Sequence, residues 1–150
     1  MRVMVCLKDG REARRLAELG IRFQGATRID LVHVMEPWMA RSAGVPSRLP
    51  STTPALPQQD PVRRLEHDFE RELFAEPARL LSGLAPEIRT IVLRGAAERE
   101  LERWARDGGY DLIVIGGRRS GHGPGRGPHP GRRGKHLVDH IATSVLLLMD

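Results

Sequence analysis

The sequence predicts an α/β domain built on a five-stranded, mostly parallel sheet of strand order 3-2-1-4-5, with helices on both faces. Three observations carry this reading. Short apolar runs alternate with stretches of helical periodicity along all 150 residues. The run Leu112-Ile113-Val114-Ile115 is unbroken, as expected of a central parallel strand buried on both faces. Glycines, single or paired, stand where the periodic stretches stop. Right-handed crossovers then leave few topologies.

The first strand is read at residues 2–8, ending at Asp9-Gly10. Residues 11–24 follow as a helix with Ala13, Leu16, Ala17, Leu19 and Ile21 on its apolar positions and Gly25 as its stop. The second strand, 27–34, takes its apolar content from Ile29, Leu31, Val32 and Val34. Residues 36–58 contain Pro37, Pro46, Pro50, Pro54 and Pro57, so no regular element fits and a proline-rich loop is expected. Asp60-Pro61 reads as an N-cap and first-turn proline. The helix from 61 to 83 carries Val62, Leu65, Phe69, Leu73 and Phe74 on one stripe, with Pro77 as a kink or break. A third strand at 87–93, a helix at 96–107 with Trp104 inward, a Gly108-Gly109 stop and a fourth strand at 110–116 come next. A short helix at 134–142 and a fifth strand, Ser144 to Met149, complete one domain over residues 1–150.

The net charge is +5, and all but Lys8 and Lys135 of the basic side chains are arginine. No apolar run reaches the ~20 residues needed to span a bilayer. The opening MRVMVCLKDG lacks the apolar core and small cleavage-site residues of a secretory signal, so a cytoplasmic location is expected. The lone Cys6 excludes an internal disulfide and reads as a buried small hydrophobe. His136 and His140 stand at i, i+4, a spacing able to hold a metal, but no third ligand is visible and no metal is expected.

Ligands of open parallel sheets bind beyond the C-terminal strand ends, where strand order switches. Two loops therefore face each other, one after the first strand and one after the fourth. The second reads GGRRSGHGPGRGPHPGRRG over residues 116–134, with eight glycines and five arginines. Glycine lets successive backbone N–H groups converge on phosphate oxygens, and arginines neutralise them. It is not a P-loop, because Gly134-Lys135 is followed by His136 and His129 stands where the first glycine is needed. No G-x-G-x-x-G follows the first strand, which excludes the dinucleotide fingerprint. The stretch has no interleaved aromatics, so nucleic-acid binding ranks last. Trp38 and Met39, after the second strand, can close over a base or cover the core edge.

The segment AAERELERWARDGGYDLIVIG strongly resembles the universal stress proteins. Asp9-Gly10 with Glu12-Ala13, the strand Leu31-Val32-His33-Val34 and the closing GRRGKHLVDHIATSVLLL are similar to that family as well. The resemblance covers the chain except 36–58 and implies a Rossmann-like, adenine nucleotide alpha hydrolase-like fold. Nucleotide-binding members carry G-x-x-G, nine residues, then glycine and a hydroxyl residue. Here Gly131 matches the closing glycine, Gly121 the second, and Gly116 or Gly117 the first, with longer spacing. Arg132 stands at the hydroxyl position, and Arg133 follows it. The resemblance implies that Asp9 and Val34 approach the adenine base while the glycines and arginines hold the phosphates. It implies an adenine nucleotide, ATP first with ADP or AMP open, and a stress-response or regulatory role with at most slow hydrolysis. Asp9 reads equally as a turn residue with Gly10. The lengthened loop and Arg132 keep open a nucleotide-free protein acting through protein partners. The apolar edge Ser144 to Met149 predicts a homodimer, as the resemblance also implies.

Overall fold

A computed structural model describes residues 1–36, 61–119 and 128–149, with the backbone alone described at 61–66, 118–119 and 128–129. The proline-rich expectation at 37–58, Asp60 and the Trp38–Met39 pair lie outside the described residues.

Strand β1 (Arg2–Leu7) buries every side chain from Val3 to Leu7. It pairs in parallel with β2 (Arg28–Met35) on one side and β4 (Leu112–Gly116) on the other, so that Val5 lies level with both Leu31 and Val114. Beyond β2 lies β3 (Glu87–Arg94), and beyond β4 lies β7 (Ser144–Leu148). The sheet order β3-β2-β1-β4-β7 is the expected 3-2-1-4-5, with β7 as the fifth principal strand. Because side chains alternate along a strand, Val3, Val5 and Leu7 pack on one face with α1 (Arg11–Glu18) and α2 (Pro61–Leu81). Met4 and Cys6 pack on the other with α3 (Ala97–Gly108) and α4 (Gly131–His140).

Several expected details are corrected. Helix α1 ends at Glu18, because Gly20 takes φ +61 one residue past the cap and turns the chain before Gly25 does. Ala17 and Leu19 are consequently exposed, leaving Ala13 and Leu16 as the buried apolar pair. Helix α2 runs unbroken through the buried Pro77, whose ring packs on Gly10. Phe69 is half exposed rather than inward and meets His33 edge-on. The stretch after β4 is not loop throughout: β5 (Arg118–Arg119) pairs antiparallel with β6 (Pro128–His129), and α4 starts at Gly131 rather than 134.

The N-terminal edge of the sheet is held by a polar network. Tyr110 donates its hydroxyl proton to the buried Asp30 and accepts from Trp104 Nε1 at 2.8 Å, while Arg28 Nε lies 3.0 Å from the other Asp30 oxygen. Burial and Asp30 push the Tyr110 pKa up to about 12, which keeps the donor proton in place. A Cβ at Gly108 would run into the Tyr110 ring, so this glycine makes room for the ring, while Gly109 at φ +60 ends the helix. Tyr110→Phe leaves a buried carboxylate short of a donor. It should lower unfolding stability by about 1–3 kcal/mol in urea melts, with an unchanged far-ultraviolet spectrum.

Candidate functional site

The chain leaves β1 toward α1 on one face, whereas α4 covers the opposite face beside β4. The C-terminal ends of β1 and β4 therefore diverge, and a cavity of about 60 Å³ opens between them. Its apolar wall is Val32 and Val34 of β2, Leu101 of α3 and Ile115 of β4. Its polar groups are Lys8, Glu12 and Arg133, with Gly116 and Cys6 between them. A space of this size takes one chemical group rather than a whole nucleotide.

Glu12 sits in the first turn of α1 and is buried. Its Oε2 accepts from the Lys8 N–H at 3.3 Å, and its Oε1 lies 2.9 Å from where a Cβ on Gly116 would stand. A side chain at 116 would force this carboxylate to shift. Burial raises the Glu12 pKa above its usual value, the Asp9 charge adding and Lys8 N–H and Arg11 opposing. The other end of the same Leu7–Lys8 peptide is held by His33, whose Nδ1–H donates to the Leu7 carbonyl at 3.0 Å. The His33 Nε2 is buried without a partner, and burial lowers the ring's pKa. Burial and the Glu12 charge together push the Cys6 thiol up to about 12, so it is no nucleophile.

Arg133 reaches the cavity from α4, and its Nη2 is 3.1 Å from Glu36 Oε2. The second Glu36 oxygen accepts from the Ala97 N–H at the start of α3 at 3.3 Å. Glu36 thus ties the end of β2 to the first turns of both helices on that face. Helix α4 carries Arg132 and Arg133 at its positive end with no acid in its own first turn, so these carboxylates from elsewhere compensate it.

Of the expected site residues, Val34, Gly116 and Arg133 line the cavity. Gly117 donates its N–H to Leu148 at 2.7 Å and secures β7. Asp9 lies outside the lining; Arg11 hydrogen-bonds its carboxyl at 2.9 Å and holds it below the usual carboxylate range. Gly131 opens α4 at φ +66, and Arg132 turns away to Glu98 at 2.8 Å. Gly121 and His122 lie outside the described residues, as does the His129 side chain. His136 and His140 stack at 4.2 Å, but His136 is held by Glu102, and no three metal-ligating residues cluster among the described residues. Glu12 and Glu36 carried no site signal in the sequence beyond the Glu12-Ala13 resemblance.

Glu12→Gln should raise the thermal midpoint at about pH 7.5. The native pKa lies above the unfolded value of 4.5, so the ionised carboxylate costs stability at neutral pH. The gain should shrink as pH falls through the native pKa and vanish below 4.5. His33 acts oppositely, its protonation penalising the native state below 6.5, and it is common to both chains. Calorimetric melts across pH check the difference.

The model of the universal stress protein family matches residues 1–147. A universal stress protein from Archaeoglobus fulgidus is 15% identical, with 99% of this chain and 98% of that chain covered and a TM-score of 0.59. A universal stress protein in complex with cAMP is 16% identical over 99% of this chain and 96% of its own, with a TM-score of 0.55. The Archaeoglobus fulgidus protein in complex with dAMP is 13% identical over 99% and 97%, with a TM-score of 0.52. At these identities the likeness is one of fold. No curated protein matches the chain.

Proposed function

We propose that this chain, which belongs to the universal stress protein family, binds an adenine nucleotide at the C-terminal ends of β1, β2 and β4. The observation that carries the reading is the cavity itself: a bare glycine, an apolar wall and an arginine meet at the switch point of strand order. Structural neighbours in complex with cAMP and dAMP support the ligand class. In this reading Val34 faces the base and Gly116 admits the ligand close to the backbone. Arg133 exchanges Glu36 for phosphate. Asp9 meets an exocyclic amine at the mouth, while Gly117, Gly121, Gly131 and Arg132 complete the phosphate side. Since the cavity takes one group, the rest of the nucleotide lies across its mouth. ATP is the first candidate, followed by ADP and AMP. The role is regulatory, in a cytoplasmic stress response, with at most slow hydrolysis.

A second reading, a nucleotide-free protein acting through protein partners, is favoured by the compensation of Arg133 by Glu36 and of Arg132 by Glu98. Mass spectrometry of small molecules released from the purified protein, with calorimetric titration of ATP, ADP and AMP, separates the two. The first reading expects released nucleotide or binding heat, weakened in Arg133→Gln, which leaves Glu36 still capping α3. Neither nucleotide nor heat in the unsubstituted chain sinks it.

We also propose that β7 pairs with β7 of a second copy. It is the sheet edge, and Val145, Leu146 and Leu147 are only half covered there. Light scattering should then give twice the chain mass; the mass of one chain at micromolar concentration would contradict it.

A further inference from the structure

The cavity contains one charge that opposes an anionic ligand. Glu12 is buried, and among the described residues its carboxylate accepts only from backbone, from its own N–H and from the Lys8 N–H at 3.3 Å, on a wall it shares with Gly116. The charged groups around it are few. Lys8 is exposed at the end of β1, and Arg11 is engaged with Asp9. Arg133 comes from α4 and is paired with Glu36, and Cys6 faces the same space as a neutral thiol. No described guanidinium or ammonium forms an ion pair with Glu12. Unlike Asp9, it is not neutralised by a neighbour.

We propose that Glu12 sets the charge selectivity of this cavity, disfavouring a nucleotide in proportion to the charge on its phosphate. The proposal rests on the nucleotide reading of the same cavity and reverses its order of ligands, placing a cyclic nucleotide before AMP and AMP before ATP. A phosphate brought toward Gly116 approaches the Glu12 carboxylate, because the two share the space that a single methyl group at 116 would fill. Repulsion between like charges in a poorly solvated space is strong. A singly charged phosphodiester, such as a cyclic nucleotide, meets less of it than the doubly charged monoester. A monoester relieves it by driving Glu12 to take up a proton, which burial already favours. Glutamine at this position keeps an oxygen to accept from Lys8 N–H and removes the charge.

The test is calorimetric titration of AMP and of 3′,5′-cyclic AMP, which share base and ring, into the unsubstituted chain and Glu12→Gln at about pH 7.5 and about pH 5.5. The substitution should tighten AMP about tenfold relative to cyclic AMP at the higher pH. Acidification should tighten AMP in the unsubstituted chain more than in the variant; the second ionisation of AMP itself is common to both. Binding with an unchanged AMP to cyclic AMP ratio overturns the selectivity and leaves the nucleotide reading standing. Failure of both chains to bind either ligand removes both. Should the variant not fold, AMP titrations of the unsubstituted chain in buffers of different ionisation heat count protons. More uptake than the phosphate's own titration supplies supports the proposal, and no excess overturns it.

Discussion

The parallel pairing of β1 on both of its edges is the constraint on which the rest depends. A strand hydrogen-bonded to β2 and β4 and covered on both faces has no solvent side, and its five residues from Val3 to Leu7 are all apolar and buried. Full burial of such side chains is worth about 1.5–3 kcal/mol each. The helices on opposite faces then follow, because each face of β1 needs its own cover: Ala13, Leu16 and Phe74 on one, Ala97, Leu101 and Leu137 on the other. So does the cavity. Where β1 ends, its last peptide has lost the sheet and the chains on either side part toward different faces.

This logic was legible in the sequence because burial on both faces writes itself as uninterrupted apolar runs. Leu112 to Ile115 read correctly for that reason, and the strand order followed from alternation and handedness. The end of α1 was not legible. Gly20 and Gly25 both adopt positive φ, and nothing in the local sequence decides which one stops the helix; in the fold Gly20 does, and Leu19 is left exposed. The β5–β6 pair spans two residues a side and carries no apolar pattern. In the site, Gly116 was legible from its place after a buried strand. The part played by Glu36 was not, since its partner stands 97 residues away. Asp9 shows the converse: a residue two positions on, Arg11, already occupies it.

The positive field read from the arginine-rich stretch is also altered by folding. The acids of α3 face the bases of α4, with Glu98 on Arg132 and Glu102 on His136, and Lys135 is paired within its own helix to Asp139. The outward pairs, Lys135–Asp139 and Arg132–Glu98, contribute about 0–1 kcal/mol and are screened by salt. They trim the potential around α4 rather than hold the helix. The half-buried Arg133–Glu36 pair is different, because Glu36 also caps α3. Releasing Arg133 to another anion leaves Glu36 at a helix N-terminus, where a carboxylate remains favourable. The pair can therefore open without stranding either charge.

That asymmetry brings the argument back to the Leu7–Lys8 peptide. Its carbonyl is held by His33 and its N–H by Glu12, two ionisable side chains where a longer strand would have used backbone partners. Neither side chain is at ease when charged. Protonated His33 would carry a proton on an Nε2 that has no acceptor, and ionised Glu12 is buried with only backbone N–H donors and no ion pair among the described residues. Adding a proton worsens the first and relieves the second. The end of β1 is therefore under opposing electrostatic demands at the two ends of one peptide, and of the two side chains only Glu12 lines the cavity. A ligand entering there changes one demand and not the other. A negative charge brought there adds to the strain on an ionised Glu12, and a neutral group does not.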